Sequence, residues 1–112
     1  MVGTLEAAAL YGEVYVVSAH GPLDARIAKE LRDVLIPLAA ADGADVYLDL
    51  EDAHGLDRES LAVVAAAAHL AQRRGNRLRI VVTSAFTLQL ITECGLVELV
   101  DVVPSLREAL DR

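Results

Sequence analysis

The stretch His54-Gly55-Leu56-Asp57-Arg58-Glu59-Ser60 brings an imidazole, two carboxylates, a guanidinium and a hydroxyl together within seven residues. Three kinds of chemistry use such a set. A serine with a histidine base can act as a nucleophile, grouped carboxylates can hold a hard cation, and a hydroxyl among charges can accept a regulatory phosphate. Nucleophilic catalysis also needs a third group to orient the base. Ser60, Ser84 or Cys94 paired with His54 comes with neither that group nor a nucleophile elbow. Asp49, Glu51, Asp52, Asp57 and Glu59 lack the spacing of a calcium loop. His20, His54 and His69 stand far apart, without an H-E-x-x-H motif or a cysteine cluster, so zinc has no evident ligand set. His20, ahead of Gly21-Pro22, reads as a residue bonding a turn, and His69 as a surface or interface residue. No glycine-rich phosphate loop is present, and no nucleotide cofactor is expected.

The residues therefore predict no catalytic residue, no metal and no cofactor. A small α/β enzyme using Ser60 or Cys94 stands as an alternative, against serines that cap or turn the chain and a cysteine packed as a small hydrophobe. Helix capping explains part of the charged stretch. Asp57 can accept backbone donors at a helix start, and Glu59 adds negative charge in the first turn, where the helix dipole favours it. Capping leaves one excess unexplained. Seven acidic residues run from Asp42 to Glu59 with Arg58 as the only arginine or lysine among them, an acidic rim that suits a basic protein partner as well as solubility.

The elements that must hold these residues follow from periodicity. "GTLEAAALY" and "EVYVVSA" (Glu13–Ala19) read as a strand pair around Gly12, the first an edge strand. The next stretch changes period: Ile27, Leu31, Val34, Leu35 and Leu38 recur at helical spacing, with Asp24 as N-cap and Asp42-Gly43 as the stop. Pro37 removes a donor inside that helix and should bend or shorten it. "ADVYLDL" is a second clear strand and "RLRIVVTS" a third. Between them a helix runs from Arg58 to Arg74, with Leu61, Val64, Ala65 and Ala68 as its apolar face and Gly75-Asn76 at its end. "AFTLQLITECG" predicts a short helix, "LVELVDVV" a last strand, and "PSLREALDR" a terminal helix. The fold class is α/β: residues 1–112 as one domain, with a single mixed, mostly parallel β-sheet and four helices on the face covered by Leu31, Leu61 and Val64. The opening hairpin and small size argue against the standard doubly wound form.

Composition narrows the function further. Apolar residues make up 54 % of the chain, yet there is no tryptophan and one phenylalanine, so the core must be aliphatic and alanine-rich. A formal charge of -7 repels a phosphate backbone. Arg73, Arg74, Arg77 and Arg79 form a local exception, but no aromatic residues are interleaved with them for base stacking, so no nucleic-acid partner is expected. "SLAVVAAAAHLA" is too short and alanine-rich to span a bilayer, no basic leader precedes an apolar run, and the single Cys94 cannot form an intrachain disulfide. A cytoplasmic protein without membrane insertion is expected, and a homo-oligomer stays open.

Three pieces of the chain resemble the STAS domain family, named for sulfate transporters and anti-sigma factor antagonists. "GPLDARIAKEL" is similar to the family's G-x-L-D and first helix, "DVYLDLEDAHGLDRESL" to its strand and D-S-S-G-L site, and "GLVELVDVVPSLREAL" to its closing strand and helix. The resemblance spans nearly the whole chain. It implies a noncatalytic, bacterial signalling domain whose partner is an anti-sigma factor or serine-kinase-type regulatory protein, acting in transcription regulation. In the family the second serine of that site is phosphorylated, which prevents binding. Here Asp57 and Leu61 match the site, while Arg58 stands at the first serine, Glu59 at the phosphoacceptor and Ser60 at the glycine. The resemblance thus implies a partner-binding surface of Asp24, Asp57, Arg58, Glu59 and Ser60, with Ser60 as a shifted candidate phosphoacceptor and the usual switch lost. A sensory or scaffold domain without a switch is the alternative.

Overall fold

The computed structural model describes residues 2–110; the last two residues of the predicted terminal helix lie outside that range. Strands β1 (Thr4–Tyr11) and β2 (Val14–Gly21) form an antiparallel hairpin whose turn uses Gly12 at a φ of 53°, a conformation that favours glycine. Helix α1 (Ala25–Ala40), β3 (Asp45–Ala53), α2 (Arg58–Arg74), β4 (Arg77–Val81), α3 (Ala85–Glu93), β5 (Asp101–Val103) and α4 (Leu106–Leu110) follow. The strands lie in the order β1-β2-β3-β4-β5, with every pair after the first parallel. This is the expected single mixed sheet.

The sheet's two faces differ because strand side chains alternate. Val17, Ala19, Val46, Leu48, Leu50, Leu78 and Ile80 point into the main core, where α1, α2 and α3 cover them with Ile27, Leu31, Leu35, Val63, Val64 and Ile91. Val16, Tyr47 and Val81 point the other way and meet Leu106, Ala109 and Leu110 of α4. The fourth helix therefore does not share the face expected for it: three helices cover one side and α4 lies on the opposite one. That second face also carries charge. Arg79 bonds to Asp45 at 2.8 Å and to the Tyr47 hydroxyl, its guanidinium stacked over the Tyr47 ring, and Arg77 meets Asp101 at 3.2 Å. A cavity of about 620 Å³ opens beside these pairs. The arginines expected to lie at a helix end and strand start thus divide, two being committed to cross-strand pairing.

Two further expectations need correction. The run Leu96–Val103 is not one strand. Gly95 turns at a φ of 77°, Leu96–Glu98 form a 3-10 turn, and only Asp101–Val103 pair with β4. The reason is spacing: Leu96 and Val100 are buried while Glu98 between them is exposed, whereas a strand would turn all three residues to one face. On α2 the buried face is Ser60, Val63, Val64, Ala67, Ala68 and Ala71, with Leu61 and Ala65 only half-buried at its margin. The stripe is rotated by about one residue, or 100°, from the expected face. Pro37 is accommodated on the exposed side of α1, which runs through it to Ala40.

The ends of α1 and α2 are joined. Gly75 closes α2 in the left-handed conformation, with the Asn76 amide bonding the Ala71 carbonyl at 2.8 Å. That cap aims the Asn76 side chain at α1, where its Nδ2 donates to the carbonyls of Ala39 and Ala41 at 2.8 and 2.7 Å. Two orphan carbonyls at the end of one helix are thus satisfied from the end of the next.

Candidate functional site

Each helix of the main layer starts just after a parallel strand ends, so the starts of α1, α2 and α3 share one edge of the sheet. In α/β sheets this carboxyl edge is where ligands and partners tend to bind. All three starts are capped by side chains. Asp24 Oδ1 accepts from the amides of Arg26 and Ile27 at 3.1 and 3.2 Å, Asp57 Oδ1 from Ser60 at 2.8 Å, and Ser84 Oγ from Thr87 at 3.3 Å. Asp24 and Asp57 therefore cap as their sequence positions predict.

The first two starts are also laced through their backbones. The His54 amide donates to the Gly21 carbonyl at 2.8 Å and the Asp57 amide to the Leu23 carbonyl at 3.3 Å. These bonds bring the loop carrying Asp24 beside the loop carrying Asp57. Arg58 and Glu59, in the first turn of α2, are exposed. Charge of both signs is thus presented from a rigid helix start.

Ser60 does not join them. It begins the buried stripe of α2, is 0 % exposed, and its hydroxyl has no hydrogen-bond partner among the described residues. The geometry explains the orphan: a polar side chain three positions into a helix often bonds back to the N-cap amide, but the Asp57 amide already donates to Leu23. His54 is exposed and makes no bond to Ser60, so the nucleophile–base pair considered from sequence is not formed. Cys94 is likewise misjudged as a packed hydrophobe, being exposed at the end of α3. Ser84 caps.

The acidic rim also resolves into separate groups. β3 runs the length of the sheet, so Asp42 and Asp45 lie near its beginning while Asp52, Asp57 and Glu59 lie at and beyond its end. Asp45 is engaged by Arg79, and Asp49 accepts from the Glu51 amide at 3.0 Å. His20 Nδ1 lies 3.4 Å from Asp52 Oδ2, which places a histidine near the carboxyl edge of the sheet in contact with an acid across β2 and β3 rather than with a turn. Among the described residues no group of three or more His, Cys, Asp or Glu is placed to hold a metal ion, and no helix is long and apolar enough to cross a membrane.

Desolvation, then the neighbouring Asp49 carboxylate, pushes the Glu51 carboxyl above the usual carboxylate range. An acid whose folded value exceeds its unfolded value loses stability as pH rises through that window, because the unfolded chain releases the proton more readily. Replacing Glu51 by glutamine should therefore stabilise the domain at neutral pH and leave it unchanged at acid pH. Urea unfolding of both proteins, compared well below the ordinary value of 4.5 and again at neutral pH, measures the difference.

Phe86, not singled out in the sequence, stands 65 % exposed at the start of α3 on the same edge. A large aromatic residue in the first turn of a helix, ahead of a polar cap's own stripe, was the available signal.

Comparison with known proteins places this geometry. No curated protein matches the sequence. Among solved structures, the anti-sigma factor antagonist SpoIIAA in its unphosphorylated form superposes with a TM-score of 0.81 at 14 % identity, over 97 % of this chain and 96 % of that one. The phosphorylated form of SpoIIAA, a Bacillus cell fate determinant, gives 0.79 at 15 % identity, covering 97 % and 98 %. An anti-sigma factor antagonist from Mycobacterium paratuberculosis gives 0.75 at 23 % identity, covering 98 % and 92 %. At these identities the likeness establishes a shared fold. The family model of the STAS domain matches residues 7–109, and the chain accordingly belongs to the STAS domain family.

Proposed function

We propose that this protein is a noncatalytic regulatory domain of the anti-sigma factor antagonist type, binding an anti-sigma factor or serine-kinase-type regulator in a bacterial cytoplasm. The observation that carries this reading is the laced pair of capped helix starts, which hold Asp24 and Asp57 side by side and present Arg58 and Glu59 outward at the family's regulatory position. Family membership and the antagonists among its structural neighbours support it. Asp24, Asp57, Arg58 and Glu59 form the charged part of the binding surface, and exposed Phe86 supplies an apolar anchor of the kind that dominates interfaces.

In this reading the domain does not switch by phosphorylation. Glu59 occupies the acceptor position with no hydroxyl to modify, and it carries one negative charge where phosphoserine carries about 1.5 to 2 and more acceptor oxygens. The partner thus meets a fixed acid. Pull-down from native cytosol tests the surface with Asp57→Asn, which keeps a capping oxygen, combined with Glu59→Lys. Capture of the specific partner should fall about tenfold, as expected when a complementary charge at an interface is reversed. Undiminished capture would assign binding elsewhere. Incubation with anti-sigma-type serine kinases and ATP, read by mass spectrometry, tests the switch. The native chain should stay unmodified, and the Glu59→Ser, Ser60→Gly double variant should gain a phosphate.

A further inference from the structure

We propose that the outer edge of β1 pairs with the same edge of a second copy of this chain, in antiparallel register about a two-fold axis at Ala7, to make one continuous ten-stranded sheet. β1 is an edge strand of eight residues that pairs only with β2. Exposed edges are usually guarded by lysine, proline or short length. Here Thr4–Tyr11 contains no lysine, arginine or proline and a single charge, Glu6, and its one irregularity lies between Ala9 and Tyr11, leaving Thr4–Ala9 a regular ladder. Exposed apolar side chains mark the same place. Val2, Leu10 and Tyr11, 70, 44 and 65 % exposed, are half of the large hydrophobic residues that stand out from the described surface, the others being on or near α3.

Charge and closure identify the occupant as a second copy. A two-fold axis at Ala7 sets Leu5 opposite Ala9 and Glu6 opposite Ala8, so no like charges face each other directly, whereas an axis at Glu6 would oppose the two carboxylates. The other edge of the sheet is the three-residue β5, too short to continue such pairing. The contact therefore closes at a dimer and does not propagate into a fibre. An eight-residue edge with its flanking side chains is smaller than the roughly 800 Å² per partner of a stable interface, which makes the dimer reversible. The Glu6 carboxylates lie on a diagonal of about 7–8 Å, and salt that screens them and the net negative charge should strengthen it.

Sedimentation velocity over a concentration series up to about 1 mM measures the equilibrium. Two exposed-site variants read the register. Ala7→Lys places two ammonium groups opposite each other at the axis and should weaken the dimer about fivefold, although it makes the chain less negative. Ala8→Lys places an ammonium opposite Glu6 twice per dimer and should tighten it by about tenfold. Circular dichroism of each variant verifies that the monomer is folded. A chain that stays monomeric up to about 1 mM, a dimer indifferent to both lysines, or one broken by Phe86→Asp would overturn the assignment, the last pointing to α3 as the contact.

Discussion

Replacing Ser60 by aspartate is expected to destabilise the domain by about 3 kcal/mol or more, since a carboxylate would be forced into a fully buried site where even the present hydroxyl finds no partner among the described residues. The helix dipole offsets at most about 2 kcal/mol of the cost of burying the charge, because Ser60 lies in the first turn of α2. Replacing Ser60 by alanine should act in the opposite sense. It removes a buried hydroxyl that has no partner and substitutes the best helix former, for a gain of about 1–2 kcal/mol. Thermal unfolding should show a rise of roughly 4 °C per kcal/mol in the alanine variant and a large fall in the aspartate variant. Equal stability of all three proteins would mean that the hydroxyl is solvated. The same measurement bears on regulation: a phosphate at Ser60 would require the first turn of α2 to unwind.

Adding a methyl group at Gly3 is the second change with a large expected effect. Gly3 is buried, and a Cβ there would run into the Pro22 carbonyl oxygen and come within 3.0 Å of Ile27 Cγ1. Backbone must move to admit it, at a cost of about 1–3 kcal/mol. The displaced segment matters for the proposed surface. Pro22 leads directly to Asp24, and the Gly3 carbonyl accepts from Arg26 Nη2 at 3.1 Å, so the start of the chain braces the loop that positions this cap. Gly3→Ala should lower the urea midpoint and speed amide exchange at Arg26 and Ile27, the two donors to Asp24. Loss of stability with exchange unchanged there would show that the strain is absorbed by β1 alone.

Periodicity made most of the architecture legible. Helix α2 has the limits predicted from its cap and glycine stop, and the hairpin, crossover strands and Asp24 cap follow from local signals that agree with the tertiary structure. Legibility failed where alanine made two faces nearly equivalent. In "SLAVVAAAAHLA" a stripe beginning at Leu61 and one beginning at Ser60 are both apolar, and only packing against the sheet and α1 chooses the second. That choice turns Ser60 inward, so the residue offered as a shifted acceptor is part of the helix's core side. The side of the sheet taken by α4 was equally hidden, since a five-residue helix is placed by its contacts with Tyr47 and Val81 and hardly by its own pattern. The acidic rim misled because adjacency along a strand is distance in space: successive acids on β3 advance about 3.3 Å per residue.

The Asn76 clasp and the loop bonds at the opposite end have a consequence for how the protein comes apart. α1 and α2 are tied where both begin, through Leu23 and Asp57, and again where both end, through Asn76. Fraying of either helix alone must break bonds to the other, which removes the low-energy openings that isolated helix termini normally have. The pair is therefore expected to open as one cooperative unit, with its amides exchanging through a shared opening. In the proposed function, a regulator docking on the paired starts would meet a surface already ordered from both ends, so little conformational entropy would remain to be lost on binding.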